Sequence, residues 1–348
     1  IMASPGSPAS RISAAALMAM LAVLALAAGG SAQLQYGFYK GKCNGSDVEA
    51  VVQGIVRAHF ARENPHRRLP PPHAVPRVRR QCTYVKTMHV RVHKEYVYLR
   101  WLTYAPNCNR LRWQGCDGGL LIDGPGTEKT AAPNLSVKGY DLIAAIKTAL
   151  EGMCPGVVSF SDIQILATRD AVALAGAPAY AVRTGRRDRR QSRASDVRLP
   201  APDYTAAQAV AYYARLGMNA FETVALLGAH TVGTTRCSAI KSSRLYGYGG
   251  KHGATDPGID PAPASVYKKW VCPNVSSSDG NAVFLDDSRT GPGRGVLSDD
   301  QNLYSDGSTR WIVDQLASNA ALFQSEFAKV LVKLSEVNVP TGVQGEIR

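Results

Sequence analysis

From Tyr140 onward the chain repeats one kind of instruction: an apolar stretch with helical spacing that stops at a glycine. SFSDIQILATRDAVALAG (159–176) and TAAQAVAYYARLG (205–217) have this form, ending at Gly176 and Gly217, and YDLIAAIKTALEG (140–152) has the same helical spacing. Apolar side chains three and four apart share one face of a helix, and glycine ends it by taking left-handed backbone at little cost. Ser159-x-x-Asp162 and Asn219-x-x-Glu222 supply start signals, because a short polar side chain accepts from amides that a first turn leaves unpaired. Ser46-x-x-Glu49 opens SDVEAVVQGIVRAHFAR (46–62) in the same way. Residues 308–335 read as one long amphipathic helix or a helix pair, and 247–263 and 273–307, rich in Gly, Pro, Asp and Ser, read as loops. No internal repeat is found. With residues 63–114 set aside, the expectation is an all-α protein with long functional loops. Its 348 residues suffice for one large domain or two lobes.

Residues 63–114 break the pattern. Pro65, Pro70, Pro71, Pro72 and Pro76 forbid a regular helix, at about 3 kcal/mol each in a helix interior. CTYVKTMHVRVHKEYVYLRWLTYA (82–105) then reads as irregular or strand-like. Residues 57–114 carry 13 Lys/Arg against Glu63 and Glu95, which is +11 of the chain's +13, together with five of the seven histidines. Such a shift marks either a frame-shifted or unspliced piece of a gene or a divergent insertion.

The N-terminus reads as a secretion signal over residues 1–32. Arg11 precedes an apolar run that ends in small residues at Ser31–Ala32. A membrane anchor is the alternative, but the run is short for a span, and no later segment is long and apolar enough to cross a bilayer. Seven cysteines in an exported chain imply disulfides with one thiol left over. Sequons at Asn44, Asn134 and Asn274 fit the same route. Export argues against nucleic acid as a partner, and GPGRG (291–295) lacks the strand–helix context of a phosphate loop.

The chain resembles the class III (plant secretory) haem peroxidases. The likeness covers roughly residues 33–62 and 115–348. It rests on QLQYGFYKGKC, GCDGGLLIDG, EKTAAPNLSVKGYDLI, CPGVVSFSDI, GRRD, LPAP, GAHTVGTTRC, SDDQNL and GEIR, in that order. It implies a peroxidase domain over 33–348, a two-lobed helical fold with haem b between the lobes, secretion to the cell wall, and a monomer. It also implies oxidation of small phenolic donors by hydrogen peroxide, within oxidative-stress and lignin chemistry.

Site residues follow from the same resemblance. His230 in GAHT matches the proximal ligand of the haem iron, and Asp300 in DDQ matches the carboxylate on its other ring nitrogen, which sets tautomer and basicity. Asn134 matches the asparagine that bonds the distal histidine, a role that requires burial and argues against a glycan there. Pro200 matches the residue whose carbonyl helps to hold aromatic donors. Gly115, Asp117 and Glu128 match parts of a distal calcium site, with Gly119 where a serine ligand is expected. Thr231, Asp286 and Thr290 match parts of a proximal one. Calcium takes six to eight oxygens, and neither set is complete. Asp162 and Arg186 match a buried pair that holds the fold. Cys43 is implied to pair with Cys154, and Cys237 with Cys272; the second loop, of about 34 residues, is worth roughly 3–4 kcal/mol by chain entropy. A third family bridge would start where this chain has Phe160.

The distal catalytic pair is missing. The family reads R-x-x-F-H-D-C-F-V-x before GCD, and this chain reads APNCNRLRWQ. Counted without gaps, Asn109 stands for the histidine, Ala105 for the arginine, Arg110 for a calcium-ligating aspartate and Leu111 for the partner of Cys116. Cys116 is therefore expected to be free or bonded to Cys82 or Cys108. His59–Phe60 belongs to the first helix and is not the missing pair. His66, His73, His89 and His93 read as solvated loop histidines. An alternative function follows: a catalytically silent secreted protein whose basic segment binds acidic wall polysaccharide.

Overall fold

The structure, a computed structural model, describes residues 34–63, 116–135, 137–231, 234–259, 261–285 and 296–348. The signal-like stretch and most of the basic segment lie outside the described residues.

Helices α1 (Val48–Glu63), α2 (Tyr140–Met153) and α3 (Phe160–Leu174) pack on one another. Val52, Val56, Ile143, Ile146, Leu150, Ile163 and Leu166 form their shared core. Each such side chain taken from water stabilises by roughly 1.5–3 kcal/mol. The Cys43–Cys154 disulfide closes this unit at one end. The start of α1 differs from the sequence reading. Asp47, one residue after Ser46, accepts from the Ala50 amide at 3.1 Å and is the capping group. Ser159 does cap α3, accepting from the Asp162 amide. At Gly176 the backbone turns left-handed, with φ 104°.

A second unit contains α4 (Ala206–Ala214), α5 (Ala220–Leu227), α8 (Ser298–Ser305), α9 (Gly307–Ser318) and α10 (Ala320–Glu336). Val224, Leu226, Leu227, Leu303, Ile312, Leu316, Phe327 and Leu331 are its core. The C-terminal amphipathic stretch is thus a pair, split at Asn319, whose side chain caps α10 through the Leu322 amide.

A third cluster gathers Ile240, Leu245, Ile259, Tyr267, Val283 and Leu297 around the Cys237–Cys272 disulfide. It includes α6 (Cys237–Ile240), α7 (Pro261–Val266) and an antiparallel ribbon of β1 (Thr234–Arg236) and β2 (Ala282–Phe284). Two readings of 273–307 as loop are corrected here: β2 pairs with β1, and 298–305 is helical.

Asp162 and Arg186 tie the first unit to α10. Both side chains are fully buried and 2.9 Å apart. Arg186 also donates to the carbonyl and hydroxyl of Ser335, while Tyr39 and the Gly185 amide donate to Asp162. The described chain is mostly helical, as the periodicity implies. None of its helices is long and apolar enough to cross a membrane.

Candidate active site

His230 is placed by a helix that is held at its first turn and along its buried face. Asn219 and Glu222 form a reciprocal capping box at the start of α5. Glu222 also accepts from Lys333 of α10 at 2.7 and 2.8 Å. Thr223 through Leu227 are buried, so α5 is fixed on its apolar face. The α-helix ends at Leu227, and His230 sits on the 3-10 turn Gly228–Thr231 that follows rather than in the helix itself.

His230 Nδ1 and Asp300 Oδ1 are 2.9 Å apart across 70 residues. Asp300 is carried by α8, which is moored to the segment before α4: the Asp299 amide donates to the Pro202 carbonyl and Asn302 donates to the Tyr204 carbonyl. Burial disfavours a charged imidazole, but the charge and hydrogen bond of Asp300, backed by Asp299, push His230 up to about 9. A carboxylate on Nδ1 fixes one proton there, so that Nε2 is the nitrogen that binds a ligand once it gives up its own proton. The His230 side chain stays 26% exposed.

Asp299 is a residue that pattern reading passed over, although the doubled DD in SDDQNL was its signal. It is 4% exposed, and its carboxyl is raised by burial and by the charge of Asp300. His230, Asp299 and Asp300 lie within 4.8 Å of one another. The short His230–Asp300 bond already occupies Nδ1, and Asp299 Oδ1 accepts from the Asp300 amide at 2.9 Å.

Across the first unit, Asn134 is 4% exposed on the 3-10 turn Ala132–Asn134. Its Nδ2 donates to the Glu128 carbonyl at 2.8 Å, while its buried Oδ1 accepts no hydrogen bond from the described residues. A buried amide oxygen held this way is an acceptor aimed at a donor still to be supplied.

A family model described as "Peroxidase" matches residues 53–319. Peroxidase 57 of Arabidopsis thaliana is 39% identical over 323 residues, covering 91% of each chain. Peroxidase 71 of the same plant is 41% identical over 248 residues, covering 68% of this chain and 74% of its own. Peroxidase N1 of Nicotiana tabacum is 36% identical over 327 residues, covering 90% and 88%. The chain belongs to the peroxidase family.

In this peroxidase two of the expected disulfides are present, Cys43–Cys154 and Cys237–Cys272. Cys116 is also disulfide-bonded, to a cysteine outside the described residues, which removes the free-thiol alternative. Asn44 is exposed in a left-handed turn, its Nδ2 donating to the Met153 carbonyl, whereas Asn134 is buried. Pro200 is partly buried in the extended segment before Pro202. Gly115, Ala105, Asn109, Asp286, Thr290 and the side chain of Thr231 lie outside the described residues, as do His66, His73, His89 and His93.

Among the described residues, Asp117, Gly119 and Glu128 stand at the peroxidase's expected distal calcium, and they do not by themselves complete a ligand set. Asp117 and Glu128 are both buried, but Arg189 reaches between them. A Cβ on Gly119, where a hydroxyl ligand is expected, would stand 2.3 Å from Glu128 Oε1. No calcium-dependent step is assigned there.

Proposed function

We propose that this peroxidase binds haem b through Nε2 of His230 and uses hydrogen peroxide to oxidise small phenolic donors outside the cell, after loss of residues 1–32. The His230–Asp300 bond of 2.9 Å carries this reading. The haem supplies the redox chemistry with peroxide and donor. Asp300 holds the proton on Nδ1 and makes the imidazole a stronger donor at Nε2. Asn134 supplies a fixed acceptor that would orient a distal imidazole. Pro200 is the residue assigned to the donor.

Turnover by the chain as written is slow on this reading. The distal base must take a proton from peroxide, and the distal cation must receive the charge that develops. The positions counted for them hold Asn109 and Ala105. An amide and a methyl group do neither.

The test is spectroscopic. The wild-type chain reconstituted with haem should show a Soret band characteristic of histidine ligation. His230→Ala should lose it while keeping its far-ultraviolet helix signal, and added imidazole should restore it. An unchanged spectrum in His230→Ala would mean another ligand and end the assignment. A wild-type chain that takes up no haem would favour the silent, polysaccharide-binding alternative.

A further inference from the structure

The structure sets the sequons at Asn44, Asn134 and Asn274 apart. Asn134 is buried and its Nδ2 is given to the Glu128 carbonyl, so a sugar there would have to lie inside the first unit. Asn44 is exposed, but its backbone is left-handed, with φ 47°, and its Nδ2 donates to the Met153 carbonyl at 2.6 Å beside the Cys43–Cys154 bridge. Asn274 is exposed, and its side chain makes no hydrogen bond among the described residues. Ser276, which completes its sequon, is exposed as well.

The turn that carries Asn274 is tied down through its neighbours. Cys272 is bridged to Cys237. The Val275 amide and the Ser278 hydroxyl both donate to the Pro273 carbonyl at 2.7 Å, and Lys241 donates to the Val275 carbonyl at 2.7 Å. Apolar surface lies beside this turn: Trp270 is 72% exposed, Val275 52% and Val266 50%. Val266 and Trp270 are four apart on consecutive helical turns, Pro261–Val266 and Tyr267–Val271, and so share a face. Trp270 is four residues from Asn274, at most about 14 Å of extended chain. Lys269 lies over one face of the indole, its Nζ 4.9 Å from the ring centre, and most of the ring is still bare.

We infer that Asn274 carries an N-linked glycan whose sugar rings lie over Trp270 and Val275. In the attachment step Asn274 Nδ2 bonds to the anomeric carbon of a lipid-diphosphate-linked oligosaccharide. The bond from that carbon to the diphosphate oxygen breaks, the amide gives up one proton, and the lipid diphosphate leaves. The C–H faces of pyranose rings are apolar and pack on an indole while their hydroxyls stay in water. A bulky polar cover of this kind keeps exposed apolar surface from meeting other chains. The inference rests on export of the chain, as proposed above, and not on haem binding by His230.

The experiment expresses the full chain in a eukaryotic secretory host, once with its own N-terminus and once behind a foreign export signal. If only the second is exported, the reading of residues 1–32 fails and Asn274 is still scored on that chain. Peptide mapping after enzymatic glycan release, which leaves aspartate where a sugar was attached, should mark Asn274 in most exported molecules and Asn134 in none. Releasing the glycan from the folded protein should speed oxidation of Trp270 by N-bromosuccinimide by ~3-fold or more, because a bulky surface group has gone. Asn274→Gln should show the faster rate from the outset. Trp311, exposed beside Phe221 in the second unit, is the internal reference and should not change. The inference fails if exported chains are unmodified at Asn274. It fails equally if Trp270 reacts at the same rate with and without the glycan.

Discussion

The two sides of this peroxidase are built on different principles. On the proximal side one histidine, one acceptor carboxylate and their moorings form a chain of short, directional bonds from Lys333 through Glu222 and α5 to His230 and Asp300. On the distal side the polar groups surround a charge: Arg189 stands 3.4–3.7 Å from three carboxylates, and Asn134 holds an acceptor that takes no hydrogen bond from the described residues. Directional bonds tune one atom, the ligating nitrogen. A shared charge holds segments together without fixing any atom for catalysis. The difference teaches that the described residues fix one imidazole nitrogen on the proximal side, whereas on the distal side they balance charge.

The sharpest way to break that comparison is to give the distal side its chemistry back. Replacing the residues before Gly115 with R-x-x-F-H-D-C-F-V should raise guaiacol oxidation by at least ~10³-fold, the scale of a placed acid–base group and an electrostatic donor acting together. Stopped-flow mixing with peroxide measures it. A native chain already as fast as the rebuilt one would show that a histidine from residues 66–93 supplies the base.

Next in size is the pair that joins the units. Asp162→Ala leaves Arg186 buried and unpaired, which should cost about 3–5 kcal/mol in urea unfolding. A cost within about 1 kcal/mol would mean that water reaches the guanidinium. Asp300→Asn should keep the fold and weaken haem retention by roughly 10–100-fold, read from transfer to an acceptor apoprotein. The distal substitution Asp117→Asn should leave retention unchanged, which separates the two sides directly.

The smallest effect concerns Glu222. Burial raises its carboxyl slightly, but the hydrogen bonds from Lys333 and the Asn219 amide bring it below the usual carboxylate range. Its folded value is thus lower than its unfolded one. The stability it contributes is complete above the unfolded value and disappears as pH falls through the folded one. Glu222→Gln keeps a capping side chain and removes the charge. It should cost at most about 1 kcal/mol near neutrality, since the pair is partly exposed, and the gap to wild type should close once the pH falls below the folded value. A gap that persists in acid would assign the effect to the cap instead.

Several of these features were legible in the residue string. The periodic stretches over 140–152, 159–176 and 205–217 became α2, α3 and α4, with left-handed glycines after the last two at Gly176 and Gly217, because capping and periodicity act within a turn or two; α2 itself runs through Gly152 to Met153. The stretch 298–305 was read as loop because SDDQNLYS has no apolar stripe; it is helical through docking against the segment before α4. The ribbon of β1 and β2 was invisible for another reason. Three-residue strands are too short to show alternation, and the pairing of Thr234 with Phe284 belongs to no local window.

The sequence by itself determined the helical class, the family likeness and the pairing of His230 with Asp300. All of these are written in short ordered strings. Only the tertiary structure decided that Asp299 lies buried beside the His230–Asp300 bond, that Asn134 Oδ1 is left without a donor among the described residues, and that Arg189 fills the space beside Gly119. The physical reason is that a buried charge or acceptor is defined by what closes around it. The groups that close around Arg189 come from Asp117, Glu128 and Asp196, on separate segments that no local rule connects.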